Sequence, residues 1–390
     1  MSKSNLKFTL SFILIIVLLS IYFYWNGNFE QATEIPLLSS LPLETSPAEI
    51  NRADIYDVQE AFRFLINQSK KSIMIAGLYF TVNVNWRIKR DLKRAIKRGV
   101  RVEFLLEDSV FARNQFSKLY LGRYTNVDVR YINVAPMGRS KWGNFHNKYA
   151  IFDKKYAMLG SANFSYPALN YNVEINAVII EPDTVEQLVR IFRDDYNYAT
   201  YKIPPEFKIF SYKYSGLPDE SIFLVESGPY QINHPRVVDI SNSLNQLLSR
   251  AKNEIDIQVY AITFGRNNFP IIYNALLKAL QQNVDIKLLI DAKMFRENKE
   301  MKTAVTELQK RGVKIKKLNM QKLTGEEYSA MHAKMLIVDR QYLFLGSSNW
   351  SKSGMQENRE IGIITTETQF VQPLYDKFHN DWNSRYSEKL

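Results

Sequence analysis

The sequence predicts an α/β fold built of two similar halves, preceded by a transmembrane helix. A strand–helix–strand pattern, typical of α/β folds, begins near residue 72 and again near residue 254. A polar motif also occurs twice, with the same internal spacing in both copies. Near the N-terminus, residues 8–29 contain no charged side chain.

The N-terminal uncharged stretch is long enough to cross a membrane as a helix. Residues 8–24 are almost wholly apolar, and a hydrocarbon core of roughly 30 Å needs about 20 apolar residues. Lys3 and Lys7 precede the stretch, so the positive-inside rule predicts a cytoplasmic N-terminus and an extracytoplasmic globular part. A cleaved signal peptide is the alternative. The bulky residues 22–25 disfavour it, because cleavage sites need small side chains.

Four regions follow from composition. Residues 1–29 are predicted to form a cytoplasmic tip and transmembrane anchor, and residues 30–52, rich in Pro, Ser and Thr, a juxtamembrane linker. The two halves are predicted at 53–206 and 207–390. Their boundary is set in the proline-rich stretch 201–235.

Each half is predicted to contain a βαβ unit. In the first half, the apolar run 72–79 suits a buried strand, and 84–98 has apolar side chains at helical spacing. Gly99 stands where a helix C-cap is expected, and 100–106 suits the next strand. The second half repeats this order at 254–263, 271–281 and 284–290. Such a repeat predicts a duplicated half-domain.

Composition narrows the function classes. The 390 residues carry a net charge of +11, which favours a polyanionic partner, either nucleic acid or an anionic membrane surface. Residues 87–98 are strongly basic and could contact lipid headgroups or nucleic acid, although a solvated helix face is an equal alternative. The absence of cysteine excludes disulfides, thiolate catalysis and cysteine-ligated zinc.

The repeated polar motif starts at His146 and again at His332. Both copies read His-x-Lys-x4-Asp-x6-Gly-Ser-x-Asn-x-Ser, and an apolar strand that carries an Asn and a Glu follows each one. Matched residues are 186 positions apart (332 − 146 = 186). The matched polar residues are His146, Lys148, Asp153, Ser161, Asn163 and Glu174, and His332, Lys334, Asp339, Ser347, Asn349 and Glu360.

This matched polar set indicates a functional site. Packing in a duplicated fold explains matched apolar residues, such as Ile151 with Ile337, but not a matched set of His, Lys, Ser, Asn and Glu. Burying such groups is costly unless they serve one another or a ligand. Since residues i and i+2 of a strand face the same side, each His and its Lys are expected to face one pocket.

At this motif the chain resembles the phospholipase D superfamily, specifically its two-motif members, over most of residues 53–390. The resemblance implies two α/β sandwich halves that meet at one active site, and a phosphodiesterase. Every motif position matches the family pattern. Two histidines without a carboxylate cluster make a poor divalent-metal site, so we expect chemistry without a metal or another cofactor.

Residue types suggest roles at this site. The lysines and asparagines (Lys148, Lys334, Asn163, Asn349) would neutralise and orient phosphate oxygens, assisted by Ser161 and Ser347. One histidine, while neutral, would attack phosphorus, and the other would protonate the leaving alcohol. Glu174 and Glu360 would fix the histidine tautomers, and Asp153 and Asp339 are expected to be structural. The near-symmetric sequence does not select the nucleophile; the family resemblance implies the N-terminal His146.

Three functions remain open. The predicted anchor favours an enzyme that hydrolyses or transfers phosphatidyl groups of phospholipids, and the basic charge favours a membrane-anchored nuclease that cuts DNA or RNA. An inactive membrane-tethered binding module is the third. No obligatory protein partner is implied. Trp142 could line the pocket mouth or simply pack, and His234 and His379 are given no role.

Overall fold

The structure is a computed structural model. It describes residues 37–40, 55–81, 83–84, 86–135, 143–201, 217–218, 220–229, 234, 237–265 and 268–390. The predicted anchor at 1–29, most of the predicted linker, Trp142 and the predicted boundary at residue 206 lie outside these ranges. Within the described ranges, no helix is long and apolar enough to cross a bilayer.

The first sheet lies in the N-terminal half. It contains eight described strands: β1 (Leu37–Ser40), β2 (Ile55–Tyr56), β3 (Ser72–Gly77), β4 (Arg101–Glu107), β5 (Val127–Ile132), β6 (Lys148–Phe152), β7 (Tyr156–Gly160) and β8 (Glu174–Ile179). Their order is β2-β1-β8-β7-β6-β3-β4-β5. Strands β3, β4 and β5 run parallel, whereas β6, β7 and β8 pair antiparallel.

The second sheet repeats this arrangement. It contains nine described strands: β9 (Ile222–Ser227), β10 (Val238–Asp239), β11 (Glu254–Val259), β12 (Asp285–Asp291), β13 (Lys314–Leu318), β14 (Lys334–Val338), β15 (Tyr342–Gly346), β16 (Glu360–Thr365) and β17 (Ser387–Lys389). Their order is β10-β9-β16-β15-β14-β11-β12-β13-β17. Strands β14, β15 and β16 therefore correspond to β6, β7 and β8. The prediction of a mixed α/β fold with two sheets is confirmed.

Helices connect and cover the strands. They are α1 (Val58–Gln68), α2 (Trp86–Lys97), α3 (Val110–Ser117), α4 (Tyr166–Asn170), α5 (Pro182–Tyr201), α6 (Ile240–Arg250), α7 (Pro270–Gln281), α8 (Ala292–Glu297), α9 (Lys299–Lys310), α10 (Met320–Thr324) and α11 (Thr368–Asn383), with a 3-10 turn at Leu121–Arg123 and a π-helical turn at Ser353–Glu357. Matching aspartates cap α1 and α6: Asp57 accepts from Glu60 N, and Asp239 accepts from Asn242 N.

Both predicted βαβ units are present as β3-α2-β4 and β11-α7-β12. In α2, Ile88, Leu92, Ala95 and Ile96 are buried, as their helical spacing predicts. The predicted strand 72–79 ends at Gly77, because the chain leaves the sheet there and Phe80 instead bridges to Phe164.

The register brings both lysines of the motif to corresponding positions. Lys148 pairs with Gly77 at the carboxyl end of β3, and Lys334 pairs with Val259 at the carboxyl end of β11. Each motif therefore enters its sheet at the same edge of an equivalent central strand. In α/β sheets, ligands commonly bind among the loops that follow the carboxyl ends of the parallel strands.

Two short backbone bridges join the halves beside the motifs. Phe145 bridges to Arg359, and Val173 bridges to Met331. In addition, the amide of His146 donates to the Arg359 carbonyl at 2.9 Å, and the amide of His332 donates to the Val173 carbonyl at 2.9 Å. Each histidine is thus held against the segment that precedes the glutamate of the other half.

Candidate active site

Each histidine of the motif is paired with the glutamate of the other half. The Nδ1 atom of His146 lies 2.8 Å from both carboxylate oxygens of Glu360. The Nδ1 atom of His332 lies 2.9 Å from both oxygens of Glu174. Within the described part of the chain, neither histidine forms a hydrogen bond through Nε2, so Nε2 is the ring nitrogen left for a substrate.

Neighbouring polar groups hold the two glutamates in place. The hydroxyl of Ser161 donates to Glu174 at 2.6 Å, and that of Ser347 donates to Glu360 at 2.6 Å. Each hydroxyl oxygen also accepts from the amide that follows its glutamate, at 2.9 and 3.0 Å. Because their protons go to the carboxylates, the serines support the glutamates here. Their predicted contact with phosphate stays a prediction.

Two asparagines, each two residues before a glutamate, also support the carboxylates. Asn172 Nδ2 donates to Glu174 at 2.9 Å, and its Oδ1 accepts from the Ala330 amide at 3.0 Å. Asn358 Nδ2 donates to Glu360 at 3.0 Å, and its Oδ1 accepts from the Asn144 amide at 3.1 Å. Each asparagine therefore ties its glutamate to the chain that leads into the opposite histidine.

The glycine before each serine lets two strands approach closely. A Cβ on Gly160 would lie 2.2 Å from the Ile175 carbonyl oxygen, and a Cβ on Gly346 would lie 2.8 Å from that of Ile361. No side chain fits at these distances. The requirement explains why both copies read Gly-Ser, since the close approach lets the serine amide reach the same carbonyl.

The motif lysines are buried beside the histidines. Lys148 Nζ donates to the His146 carbonyl at 2.7 Å, and Lys334 Nζ donates to the His332 carbonyl at 2.6 Å. Burial, partly offset by the two glutamates, lowers the pKa of Lys148 to about 8. Burial, together with the charge of Lys148, lowers the pKa of Lys334 to about 7.

Burial and the two lysines also act on the histidines. Burial lowers the pKa of His332 to about 4, with Lys334 and Lys148 adding to the shift and Glu174 opposing it. Burial and both lysines lower the pKa of His146 against the effect of Glu360. Lysines from both motifs thus act on each histidine, which indicates that the two motifs form one electrostatic unit.

The glutamates themselves are ionised partners of this unit. Burial alone would raise the pKa of Glu174, but His332, Lys334 and Asn172 together lower it. The pKa of Glu360 is lowered against burial in the same way, chiefly by His146. Both carboxylates therefore stay charged and accept a hydrogen bond from Nδ1–H. This hydrogen bond fixes the tautomer of each imidazole.

The two predicted asparagines follow the hairpins at corresponding positions, with Asn163 buried and Asn349 half-buried. Asn163 and Asn349 each leave Oδ1 buried and without a hydrogen bond from the described residues. Buried amides without a partner are uncommon in folded proteins. Because each unpaired atom is an acceptor, it would meet a proton-bearing group of a ligand, not a phosphate oxygen, and the predicted contact of the amides with phosphate stays a prediction.

The motif aspartates bind backbone amides at the far end of the motif strands from the histidines. Asp153 accepts hydrogen bonds from the amides of Lys70, Lys71 and Ser72, at 2.7–2.9 Å. Asp339 accepts from the amides of residues 252–254 over the same range. Both aspartates have a φ of 52°, a conformation uncommon outside glycine. They join the motif hairpin to the start of the central strand.

Several residues near the site were not singled out from the sequence. Glu107 accepts from the Phe145 amide, and Asp291 accepts from the Met331 amide at 2.9 Å, so each acid fixes the residue directly before a motif histidine. Burial raises the pKa of Glu107 to about 7. These two acids differ in type and are 184 positions apart (291 − 107 = 184), so the 186-residue repeat does not reveal them.

Two further residues break the symmetry of the site. Arg359, fully buried, contacts Asp195 at 3.3 Å and Glu226 at 3.2 Å, whereas the matched position in the first half is Val173. The ring of Tyr260 lies 4.9 Å from that of His332 in an edge-on arrangement. The sequence shows the exchange of Val173 for Arg359 but not the buried partners that Arg359 contacts.

One group of described residues has the spacing of a metal site. Ligand atoms of Glu254, Asp256 and His379 lie within 4.8 Å of one another. Lys287 Nζ, however, lies 3.5 Å from Glu254 and 3.4 Å from Asp256, so a lysine already supplies positive charge there. The group begins at the amino end of β11, the opposite end from Val259 and the motif.

Comparison with known proteins gives the family. Residues 63–196 and 244–382, more than half of the chain, match the family described as cardiolipin synthase, PLD-like domain. The chain belongs to the phospholipase D superfamily. The resemblance stated from the paired motifs is confirmed, and this phospholipase D-like protein is accordingly a phosphodiesterase.

Relatives of this phospholipase D-like chain span nearly its whole length. It is 24% identical over 389 residues to the virion nicking-joining enzyme of Vaccinia virus (strain Copenhagen), covering 89% of this chain and 88% of the relative. It is 21% identical over 410 residues to the 5'-3' exonuclease PLD4 of Homo sapiens, covering 92% and 79%.

A solved structure shares the fold. Phosphatidylserine synthase of Haemophilus influenzae Rd KW20 superposes with a TM-score of 0.63 at 12% identity, covering 94% of this chain and 91% of the other. At that identity the likeness shows the fold alone.

Proposed function

We propose that this enzyme cleaves phosphodiesters by a phosphohistidine mechanism at a single active site shared by its two halves, predicted at 53–206 and 207–390. The observation that carries the proposal is the crossed pairing of His146 with Glu360 and of His332 with Glu174. Crossed pairing makes each half incomplete without the other, so the two motifs are expected to work as one constellation.

The first step is attack on phosphorus. His146, neutral and with its Nδ1 proton held by Glu360, attacks through Nε2, and a bond from nitrogen to phosphorus forms as the leaving oxygen departs. His332 gives its proton to that oxygen. The positive charges of Lys148 and Lys334, with the amides of Asn163 and Asn349, stabilise the phosphate oxygens as charge develops.

The second step resolves the intermediate. His332, now neutral, takes a proton from water or from an acceptor alcohol, and the resulting oxygen nucleophile displaces His146 from phosphorus. Water yields hydrolysis, and an alcohol yields transfer. Protonation of His332 is favoured when the anionic substrate binds, because an added negative charge raises the pKa of a nearby imidazole.

The expected substrate is the phosphatidyl group of a phospholipid. The predicted anchor at 1–29 supports it, since a helix in the bilayer would keep the site close to lipid, with the N-terminus cytoplasmic and the catalytic part extracytoplasmic. Protease added to intact cells or spheroplasts tests this topology. Digestion of the globular part supports it, and complete protection contradicts it.

Nucleic acid is the second candidate substrate. The relatives named as a nicking-joining enzyme and a 5'-3' exonuclease support it, because they match this chain over most of its length. The net charge of +11 also suits a polyanion.

An assay panel tests the proposed function. The purified full chain is offered bis(p-nitrophenyl) phosphate, phosphatidylglycerol, phosphatidylcholine and single-stranded DNA, with and without EDTA. We expect turnover that EDTA leaves intact, and its loss in both His146→Ala and His332→Ala, commonly by about 10⁴-fold or more. Full loss with EDTA that zinc or magnesium restores, or an active single-histidine variant, contradicts the proposal.

A further inference from the structure

A basic groove lies on the outer face of the first half. Helix α2 and residues 118–120 enclose a groove of about 500 Å³. None of its lining side chains is acidic. Six of them are cationic: Lys89, Arg90, Lys93, Arg94, Lys97 and Lys118. The groove is therefore more than the solvated face of one helix, because a second segment closes it.

Part of this positive charge is not neutralised locally. Arg90 and Arg94 lie 3.4 and 3.8 Å from the buried Asp91 and share its charge. Lys93, Lys97 and Lys118, all exposed, form no salt bridge within the described part of the chain. Free ammonium groups in a concave surface attract an anion from solution.

Two aromatic rings are exposed in the same groove. Trp86 is 60% exposed, and the guanidinium carbon of Arg90 lies 4.8 Å from its ring centroid. Tyr120 is 70% exposed and has a φ of 55°, a conformation that tyrosine rarely adopts. Exposed aromatic rings beside positive charges offer faces on which bases can stack, next to cations that attract phosphates.

We infer that this groove binds single-stranded nucleic acid, with phosphates on its lysines and bases stacked on Trp86 and Tyr120. The combination of a cationic groove with aromatic platforms is the one that sequence-independent binding of single strands uses. A bilayer surface is flat and would contact charges inside a concave groove poorly. The inference rests on the proposed function and selects its second candidate substrate, nucleic acid, over the phospholipid.

The groove is suitably located to feed the active site. Trp86 begins α2 shortly after Gly77, the residue of β3 that pairs with Lys148. Because α2 is the crossover between parallel strands, its first turn lies at the sheet edge that carries the motif, and Lys97 lies towards the opposite edge. A strand bound along α2 would therefore lead towards the histidines.

Charge reversal of exposed lysines tests the inference. The variants are Lys93→Glu/Lys97→Glu and Trp86→Ala in the full chain. Lys302→Glu/Lys310→Glu, which reverses two exposed lysines on α9, is the matched control. Fluorescence anisotropy measures binding of a short fluorescein-labelled phosphorothioate oligothymidylate over a range of salt. Hydrolysis of bis(p-nitrophenyl) phosphate reports separately on the catalytic centre.

We expect Lys93→Glu/Lys97→Glu to bind the oligonucleotide about tenfold or more weakly. The slope of the logarithm of the binding constant against the logarithm of the salt concentration should be smaller in magnitude by about 1.4, or about 0.7 for each lost phosphate contact. Trp86→Ala should weaken binding by about fivefold or more. The control, and the hydrolysis of the small substrate by all variants, should stay within about twofold of wild type.

Specific results would overturn the inference. Equal oligonucleotide binding by wild type and Lys93→Glu/Lys97→Glu contradicts it. So does a loss of affinity for dihexanoyl-phosphatidylglycerol while oligonucleotide binding is retained, which would make the groove a lipid contact. A wild-type chain that binds the oligonucleotide but never hydrolyses bis(p-nitrophenyl) phosphate contradicts the proposed function instead, and leaves the groove assignment standing.

Discussion

The Nδ1 atom of His332 lies 2.9 Å from both carboxylate oxygens of Glu174, a residue of the other half of the chain. The mirror pair, His146 with Glu360, has the same geometry at 2.8 Å. A histidine and its orienting carboxylate are thus supplied by different halves. Neither half alone therefore contains a histidine with its orienting carboxylate.

Neutral replacement of either glutamate should disable the enzyme without unfolding it. Glu174→Gln keeps the shape but removes the charge that fixes the His332 tautomer and favours its protonated form. We expect kcat for bis(p-nitrophenyl) phosphate to fall by about 10²–10⁴-fold, the usual contribution of acid–base catalysis. Glu297→Gln, at an exposed carboxylate on α8, is the control. Retention of more than half of wild-type kcat would show that the pairing is structural only.

The sequence could indicate which residues form this site but not how they pair. The 186-residue repeat reveals both histidines and both glutamates, because polar residues matched at that spacing need a common reason. It leaves open whether Glu174 serves His146 or His332, since the near-symmetric motif is compatible with both. Only the backbone bridge from Val173 to Met331 decides the pairing, and a contact across 158 positions has no local signal.

Much of the fold could be predicted from local patterns in the sequence. Apolar runs and helical spacing predicted both βαβ units, and only their ends differ by a few residues. The contact of the serine hydroxyls with phosphate stays a prediction. The hydrogen bond from Ser161 to Glu174 was not predicted, because it depends on the close approach of the chain at Gly160 to β8. The buried Arg359 was not foreseen, since its partners Asp195 and Glu226 come from distant elements.

The pH profile of kcat/KM should fall on its alkaline side as the motif lysines lose their charge. An ammonium group is charged below its pKa and neutral above it, so raising the pH through about 7 for Lys334 and about 8 for Lys148 removes the charges that we propose hold the phosphate. We therefore expect kcat/KM to fall above this range, and to fall again at low pH as the attacking histidine becomes protonated. Initial rates across pH measure both limbs.

Arginine at the same position provides the internal check on that limb. Because guanidinium stays charged at all accessible pH, Lys334→Arg should move the alkaline limb of kcat/KM upwards, even if its maximum is lower. An unchanged alkaline limb in both Lys334→Arg and Lys148→Arg would assign that limb to another group.

The motif aspartates should matter for stability and little for turnover. Asp153 accepts three backbone hydrogen bonds, so Asp153→Asn, which exchanges charged for neutral acceptors and adds an unmatched donor, should lower the free energy of unfolding by about 2 kcal/mol. Asp339→Asn should behave alike. Urea denaturation measures the loss, with kcat of the folded fraction held near wild type. A large fall in kcat without loss of stability would give the aspartates a catalytic role.

The buried Arg359 should be needed to hold the halves together. Arg359→Met leaves the carboxylates of Asp195 and Glu226 buried without their guanidinium, and breaking a buried pair typically costs about 3–5 kcal/mol. Denaturation of the full chain by urea measures this cost. Val173→Met, at the matched position of the first half, is the control for introducing a methionine. A cost no greater than that of the control would mean that the cluster contributes little.

The covalent intermediate tests the central claim most directly. The full-length His332→Asn variant is mixed with bis(p-nitrophenyl) phosphate, whose good leaving group needs no acid, and is quenched and mapped by peptide mass spectrometry. Since the base that activates water is absent, we predict a p-nitrophenyl phosphoryl group on His146, and none in His146→Asn. An adduct on His332 in His146→Asn, or no adduct on either histidine under any condition, would contradict the account.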